Sequence, residues 1–102
     1  MGVPQYTTPV FTLTFPQITF DLREVAHVYV TFSASGGVLT KTGEALTLGE
    51  KTITVNLTQE ETAKLYGNVR IQANWTDQEG NRTASEIVTQ EVTENLLKAV
   101  VP

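Results

Sequence analysis

The chain has no cysteine, and only one methionine, one tryptophan and one histidine in 102 residues. Without cysteine there is no disulfide framework, no thiolate nucleophile and no cysteine-built zinc site. Basic residues are also sparse: seven Lys and Arg against eleven Asp and Glu leave a formal net charge of −4. They are scattered singly, so the clustered cations that neutralise a phosphate backbone are missing and nucleic acid is not expected as a partner. No window approaches the ~18 consecutive apolar residues of a membrane-spanning helix. The N-terminus also lacks the basic flank and apolar block of a signal peptide, so neither membrane insertion nor a secretory leader is expected.

What is present is an ordinary globular composition, 40 % hydrophobic and 18 % charged. That balance argues against wholesale disorder, and the length suits one domain with one core and little room for an elaborate catalytic cleft. The clearest pattern lies at residues 68–75, where Val69, Ile71, Ala73 and Trp75 alternate with Arg70, Gln72 and Asn74. Such a period of two marks a strand with one buried and one wet face. The turn cluster Asp77-Gln78-Glu79-Gly80-Asn81 follows, and residues 82–92 read as the returning arm of a β-hairpin. Ile87 and Val88 are adjacent and cannot share a face, which predicts either a bulge between them or a strand covered on both sides.

Upstream, Ala26, Val28, Val30 and Phe32 alternate with His27, Tyr29, Thr31 and Ser33, a second strand. Gly36-Gly37 turns it into a hairpin arm at residues 38–42, and residues 45–48 and 51–57 continue the series, the latter with Ile53, Val55 and Leu57 inward. Phe11, Leu13 and Phe15 form a first strand that Pro16 interrupts, with Ile18 and Phe20 resuming its parity, as in an edge strand that breaks and changes partner. Asp21-Leu22-Arg23-Glu24 and Thr58-Gln59-Glu60-Glu61 both have the spacing of a capping box. The second predicts a helical turn or two ending near Tyr66, with Gly67 supplying the left-handed residue after it.

These elements predict an all-β, immunoglobulin-like antiparallel β-sandwich of seven to eight short strands with one or two short helical turns. Residues 1–9, with Pro4 and Pro9, read as a flexible N-terminal arm; residues 10–95 form the single domain; residues 96–102 form an apolar C-terminal tail. Leu96, Leu97, Val100 and Val101 either close the bottom of the core or offer an apolar contact to another subunit.

Chemistry-bearing residues are few. His27 and the serines Ser33, Ser35 and Ser85 show no triad spacing, so no enzymatic activity, catalytic residue, cofactor or metal site is expected. Asp77 to Asn81 has oxygen ligands and a glycine, yet it lacks the alternating acidic pattern of an EF-hand and reads as a hairpin turn. The Asn-x-Thr triplets at Asn56, Asn74 and Asn81 read as chance in a threonine-rich chain. Trp75 with Tyr29 and Tyr66 could form a sugar-binding platform, but parity puts Trp75 on the inward face with Val69 and Ile71.

Five stretches carry a wider likeness: Asp21-Leu22 before Val28-Tyr29-Val30-Thr31-Phe32, Leu39-Thr40-Lys41-Thr42-Gly43, Leu57-Thr58-Gln59-Glu60-Glu61-Thr62, Ile71-Gln72-Ala73-Asn74-Trp75-Thr76 and Ala84-Ser85-Glu86-Ile87-Val88. Over residues 10–97 the chain resembles small immunoglobulin-like proteins of phages and prophages of Gram-positive bacteria. It is similar to the N-terminal domain of siphophage upper baseplate proteins. The resemblance implies a non-enzymatic virion component of tail or baseplate, found in the virion or in the bacterial cytoplasm during assembly. Its expected partners are other virion or assembly proteins and copies of itself in a symmetric ring. Tyr6, Phe11, Leu96 and Leu97 are then the candidate interface anchors. The alternatives are a surface- or carbohydrate-binding module, and a small phage protein that binds a host protein.

Overall fold

The computed structural model describes residues 2–102. Its strands are β1 (Val3–Pro4), β2 (Val10–Thr14), β3 (His27–Ala34), β4 (Gly37–Thr42), β5 (Leu46–Leu48), β6 (Thr52–Asn56), β7 (Gly67–Thr76), β8 (Arg82–Ala84) and β9 (Val88–Thr93), with one α-helix, α1 (Gln59–Ala63). One sheet runs β1-β9-β7-β3-β4, with β8 also on β7, and the other runs β2-β6-β5. All pairings are antiparallel except β1 on β9. This is an all-β, sandwich-like fold of two sheets, with β2, β6 and β5 in the smaller one.

The two alternating stretches are the centre of the larger sheet. β3 and β7 pair so that Val28 lies opposite Trp75, Val30 opposite Ala73 and Phe32 opposite Ile71, and all six are buried. From the other sheet Ile53, Val55 and Leu57 close on them, joined by Leu22, Leu65 and Val92. Phe15 packs edge-on against Trp75, with ring centroids 5.4 Å apart, and Phe11 lies 5.6 Å from Phe32. Burial of such side chains is worth about 1.5–3 kcal/mol each and is the main term holding the sheets together.

Both expected capping sites form turns. Asp21 caps a 3-10 turn at Leu22–Glu24 by accepting from the Arg23 N–H, and Arg23 closes back on its carboxylate at 2.6 Å. At Thr58 the full box is present: the Glu61 N–H donates to Thr58 Oγ1 (3.2 Å) and the Thr58 N–H to Glu61 Oε1 (2.8 Å). The helix is shorter than expected, because after Ala63 the chain leaves the helix and Leu65 drops into the core. Gly67 does take a left-handed φ of 80°, but as the first residue of β7.

Other expectations are refined. Strand β2 ends at Thr14, and residues 15–20 form no second strand segment after Pro16; Ile18 packs against the core from a loop, while Phe20 leans on Trp75. The described residues form nine strands where seven or eight were expected. One addition is β1: within the arm of residues 1–9, Val3 and Pro4 pair in parallel with Val92 and Thr93. The other comes from the returning hairpin arm, which a bulge divides into β8 and β9. Asn74 faces Ala84 and Ile71 faces Val88, so three residues, Ser85 to Ile87, stand against Gln72 and Ala73. The Ser85 hydroxyl fills the gap by accepting from the Ala73 N–H at 3.0 Å, and the Ser85 N–H donates to Ala73 C=O. Ile87 and Val88 are both half exposed, so the bulge, not coverage on both faces, explains their adjacency.

Candidate interaction surfaces

One end of the sandwich gathers three segments that are far apart in sequence. The N-terminal arm turns there: Tyr6 has a left-handed φ of 62°, and the Thr7 hydroxyl donates to Pro4 C=O at 2.6 Å. Gln5 anchors the arm to the corner before β7, its Nε2 donating to Ala63 and Leu65 C=O at 3.0 Å each. From the corner, the buried Thr62 hydroxyl donates to Thr7 C=O at 2.7 Å. The same hydroxyl lies 3.2 Å from Thr58 C=O and 3.3 Å from Gln59 C=O, so Thr7 takes the shortest of its three contacts and ties the arm to α1.

The tail completes the cluster. Asn95 Nδ2 donates to Gln5 C=O (2.9 Å), and Lys98 pairs with Glu94 at 2.8 Å. The carboxamide of Gln59 on α1 then clasps the Val101 backbone, donating to its C=O at 2.7 Å and accepting from its N–H at 2.8 Å. The Gln59 bonds hold the tail by its main chain and leave its apolar side chains outside. Leu96 is 91 % exposed, and Leu97, Val100, Val101 and the neighbouring corner residue Tyr66 are exposed as well. Lys98 lies close enough to Tyr6 and Tyr66 to feel both phenols, and its ammonium is held above its usual pKa mainly by Glu94.

Of the four residues picked from the sequence, Tyr6, Leu96 and Leu97 therefore come together at this end. Phe11 does not: it lies on β2, half-buried against Phe32. Leu96, Leu97, Val100 and Val101 do not close the core; all four are exposed.

A second feature was invisible in the sequence. Val88 shares the inward parity of Val92, yet it is 46 % exposed where Val92 is buried. The cause is an open seam between the sheets, lined by Leu13, Phe15, Ile71, Ser85 and Val88, where no strand continues the smaller sheet beyond β2. Sequence parity reports which face a side chain takes, not whether anything covers it.

The remaining candidates settle into structural roles. Trp75 is 5 % exposed, within a core of Phe15 and Phe20 rings, and presents no stacking platform. Asp77 holds the hairpin turn, with Oδ1 accepting from the Glu79 and Asn81 N–H groups at 2.9 Å each. Those donors, the Asn81 N–H foremost, keep the Asp77 carboxyl below its usual pKa. Gly80 completes the turn with a left-handed φ of 89°. Among the described residues no three His, Asp or Glu side chains cluster as a metal site, and no helix is long and apolar enough to cross a membrane.

No family model, curated protein or solved structure matches this chain.

Proposed function

We propose that this protein is a structural component of a phage or prophage particle, in tail or baseplate, that works by protein-protein contact. The observation that carries the reading is the apolar surface at the arm, corner and tail. Leu96, Leu97, Val100, Val101 and Tyr66 lie exposed on a backbone fixed by Gln59, Asn95 and Gln5. Apolar side chains held out on an ordered backbone suit a contact with another protein, because docking then costs little ordering entropy. The family likeness of the five stretches supplies the setting. Burial of Trp75 weighs against the carbohydrate-binding alternative, which needs an exposed aromatic.

The test is quantitative mass spectrometry of purified particles from the strain that encodes the chain. The expected result is detection at a fixed ratio to the major tail protein. Absence of the chain from particles whose tail proteins are plainly detected overturns the proposal. Deleting residues 96–102 should remove the chain from particles while leaving the isolated domain folded.

A further inference from the structure

Among the described residues, no main-chain hydrogen bond uses the side of β2 that faces away from β6. The Phe15 N–H donates to Lys51 C=O at 2.8 Å, and the Leu57 N–H donates to Pro9 C=O at 3.1 Å, so odd-numbered residues turn their backbone groups toward β6. By the alternation of an antiparallel ladder, Val10, Thr12 and Thr14 turn theirs outward.

Sheet edges are normally blunted against pairing, and those at β1, β4, β5 and β8 are. β1 is two residues long and contains Pro4, β5 and β8 are three residues each, and the bulge at Ser85 follows β8. β4 carries Lys41, opposite the buried Val30 and therefore facing inward. β2 has five residues with no charge, proline, glycine or bulge.

We infer that β2 is the dimerisation edge of this protein, pairing antiparallel with β2 of a second copy about a two-fold axis at Thr12. The inference rests on the protein-assembly reading above and names the contact. The register is self-complementary. Outward-facing Val10 meets the partner's Thr14, and Thr12 meets the partner's Thr12, which joins the copies through about six main-chain hydrogen bonds. An ionised residue in this strand would meet a like charge or bury one, and there is none.

Side chains agree on both faces. On the outer face, Thr47, Thr54 and Thr12 already form a row across the three strands, with Thr12 and Thr54 hydroxyls 3.3 Å apart. The two-fold axis continues that row into the partner's Thr12. On the inner face Phe11 comes beside the partner's Leu13, so each copy covers part of the other's open seam, where Val88 lies half exposed.

The full chain should show a concentration-dependent monomer-dimer equilibrium by analytical ultracentrifugation. Thr12→Pro removes the outward N–H and the hydroxyl that meets Thr54 but no main-chain bond to β6, and should abolish the dimer with an unchanged far-UV spectrum. Thr12→Lys and Thr12→Glu should each be monomeric, and mixing them should restore a one-to-one dimer, because only a two-fold at this position sets residue 12 against itself. That mixing result stands even if the proline variant fails to fold. A wild-type chain that stays monomeric at every concentration, as expected if another protein's strand takes this edge, overturns the inference. So does a dimer untouched by the charged variants, or a mixture that stays monomeric. Particle mass spectrometry separates this from the wider reading: a monomer present in particles sinks the β2 dimer alone, and a β2 dimer absent from particles sinks the assembly role alone.

Discussion

Lys41 Nζ lies 2.7 Å from Glu61 Oε1, the same oxygen that accepts the Thr58 N–H. One carboxylate oxygen thus closes the capping box of α1 and pins the edge strand β4 to it. Both side chains are mostly shielded, at 15 % and 28 % exposure. An ion pair so placed is held more firmly than a fully solvated one. Glu61→Gln and Lys41→Met are each expected to cost about 1–2 kcal/mol of folding stability. A double-mutant cycle by chemical denaturation should give a coupling of at least about 0.5 kcal/mol, and strict additivity would show that the contact contributes nothing.

Acid should weaken the fold through Glu61 and Asp77. For Glu61, burial pushes its pKa up, but Lys41 and the Thr58 N–H outweigh it, and the folded pKa lies below the ordinary value. That of Asp77 is lowered by the turn N–H groups. A folded pKa below the unfolded one contributes stability at higher pH, which is lost as pH falls through the folded value. Thermal denaturation is expected to be flat with pH in the neutral range and to fall below about pH 4. Asp77→Asn together with Glu61→Gln should make that acid limb shallower, with Asp21 and Glu94, whose carboxyls Arg23 and Lys98 also hold below the usual value, supplying what remains.

Ser85→Ala should cost about 1–3 kcal/mol, because it strips the partner from the buried Ala73 N–H at the bulge. Hydrogen exchange at the Ala73 amide would accelerate ahead of its neighbours in β7. Unchanged protection there would mean that the bulge holds without its hydroxyl.

Thr76 presents the opposite case. Its hydroxyl is the only buried side-chain polar atom without a hydrogen-bond partner among the described residues. Thr76→Val keeps the shape and removes the unsatisfied group, so it should stabilise the protein by up to about 1 kcal/mol in denaturant titration. A loss of stability would show that the hydroxyl has a partner in solution.

Gln59→Ala should free the tail without unfolding the domain. Both hydrogen bonds to Val101 come from that one carboxamide. The Val101 amide is therefore expected to lose its exchange protection while the β3 and β7 amides keep theirs.

The parts of the fold legible in the sequence were those where one side chain reports its own environment. Alternation at Val28, Val30 and Phe32, and again from Val69 to Trp75, marks strands because period-two burial leaves a period-two pattern. The Thr58 to Glu61 box was readable because both its bonds are local. What escaped depends on residues distant in sequence or on main chain alone. β1 pairs through two backbone positions, one of them a proline, and two residues leave no periodic trace. Lys41 could not be seen to face inward until β4 was set against β3. The exposed tail was ambiguous for a related reason: a leucine looks the same in sequence whether a neighbour covers it or not.

The parallel contact of Val3 and Pro4 beside Val92 and Thr93 also has a mechanical meaning. Because the two strands run the same way, the chain enters β1 at one end of the contact and leaves β9 at the other. Tension applied between Gly2 and Glu94 would drag the strands past each other lengthwise, loading their bonds together and not peeling them one at a time. A domain strung in series with others would, by that geometry, meet a pulling force in its sliding direction.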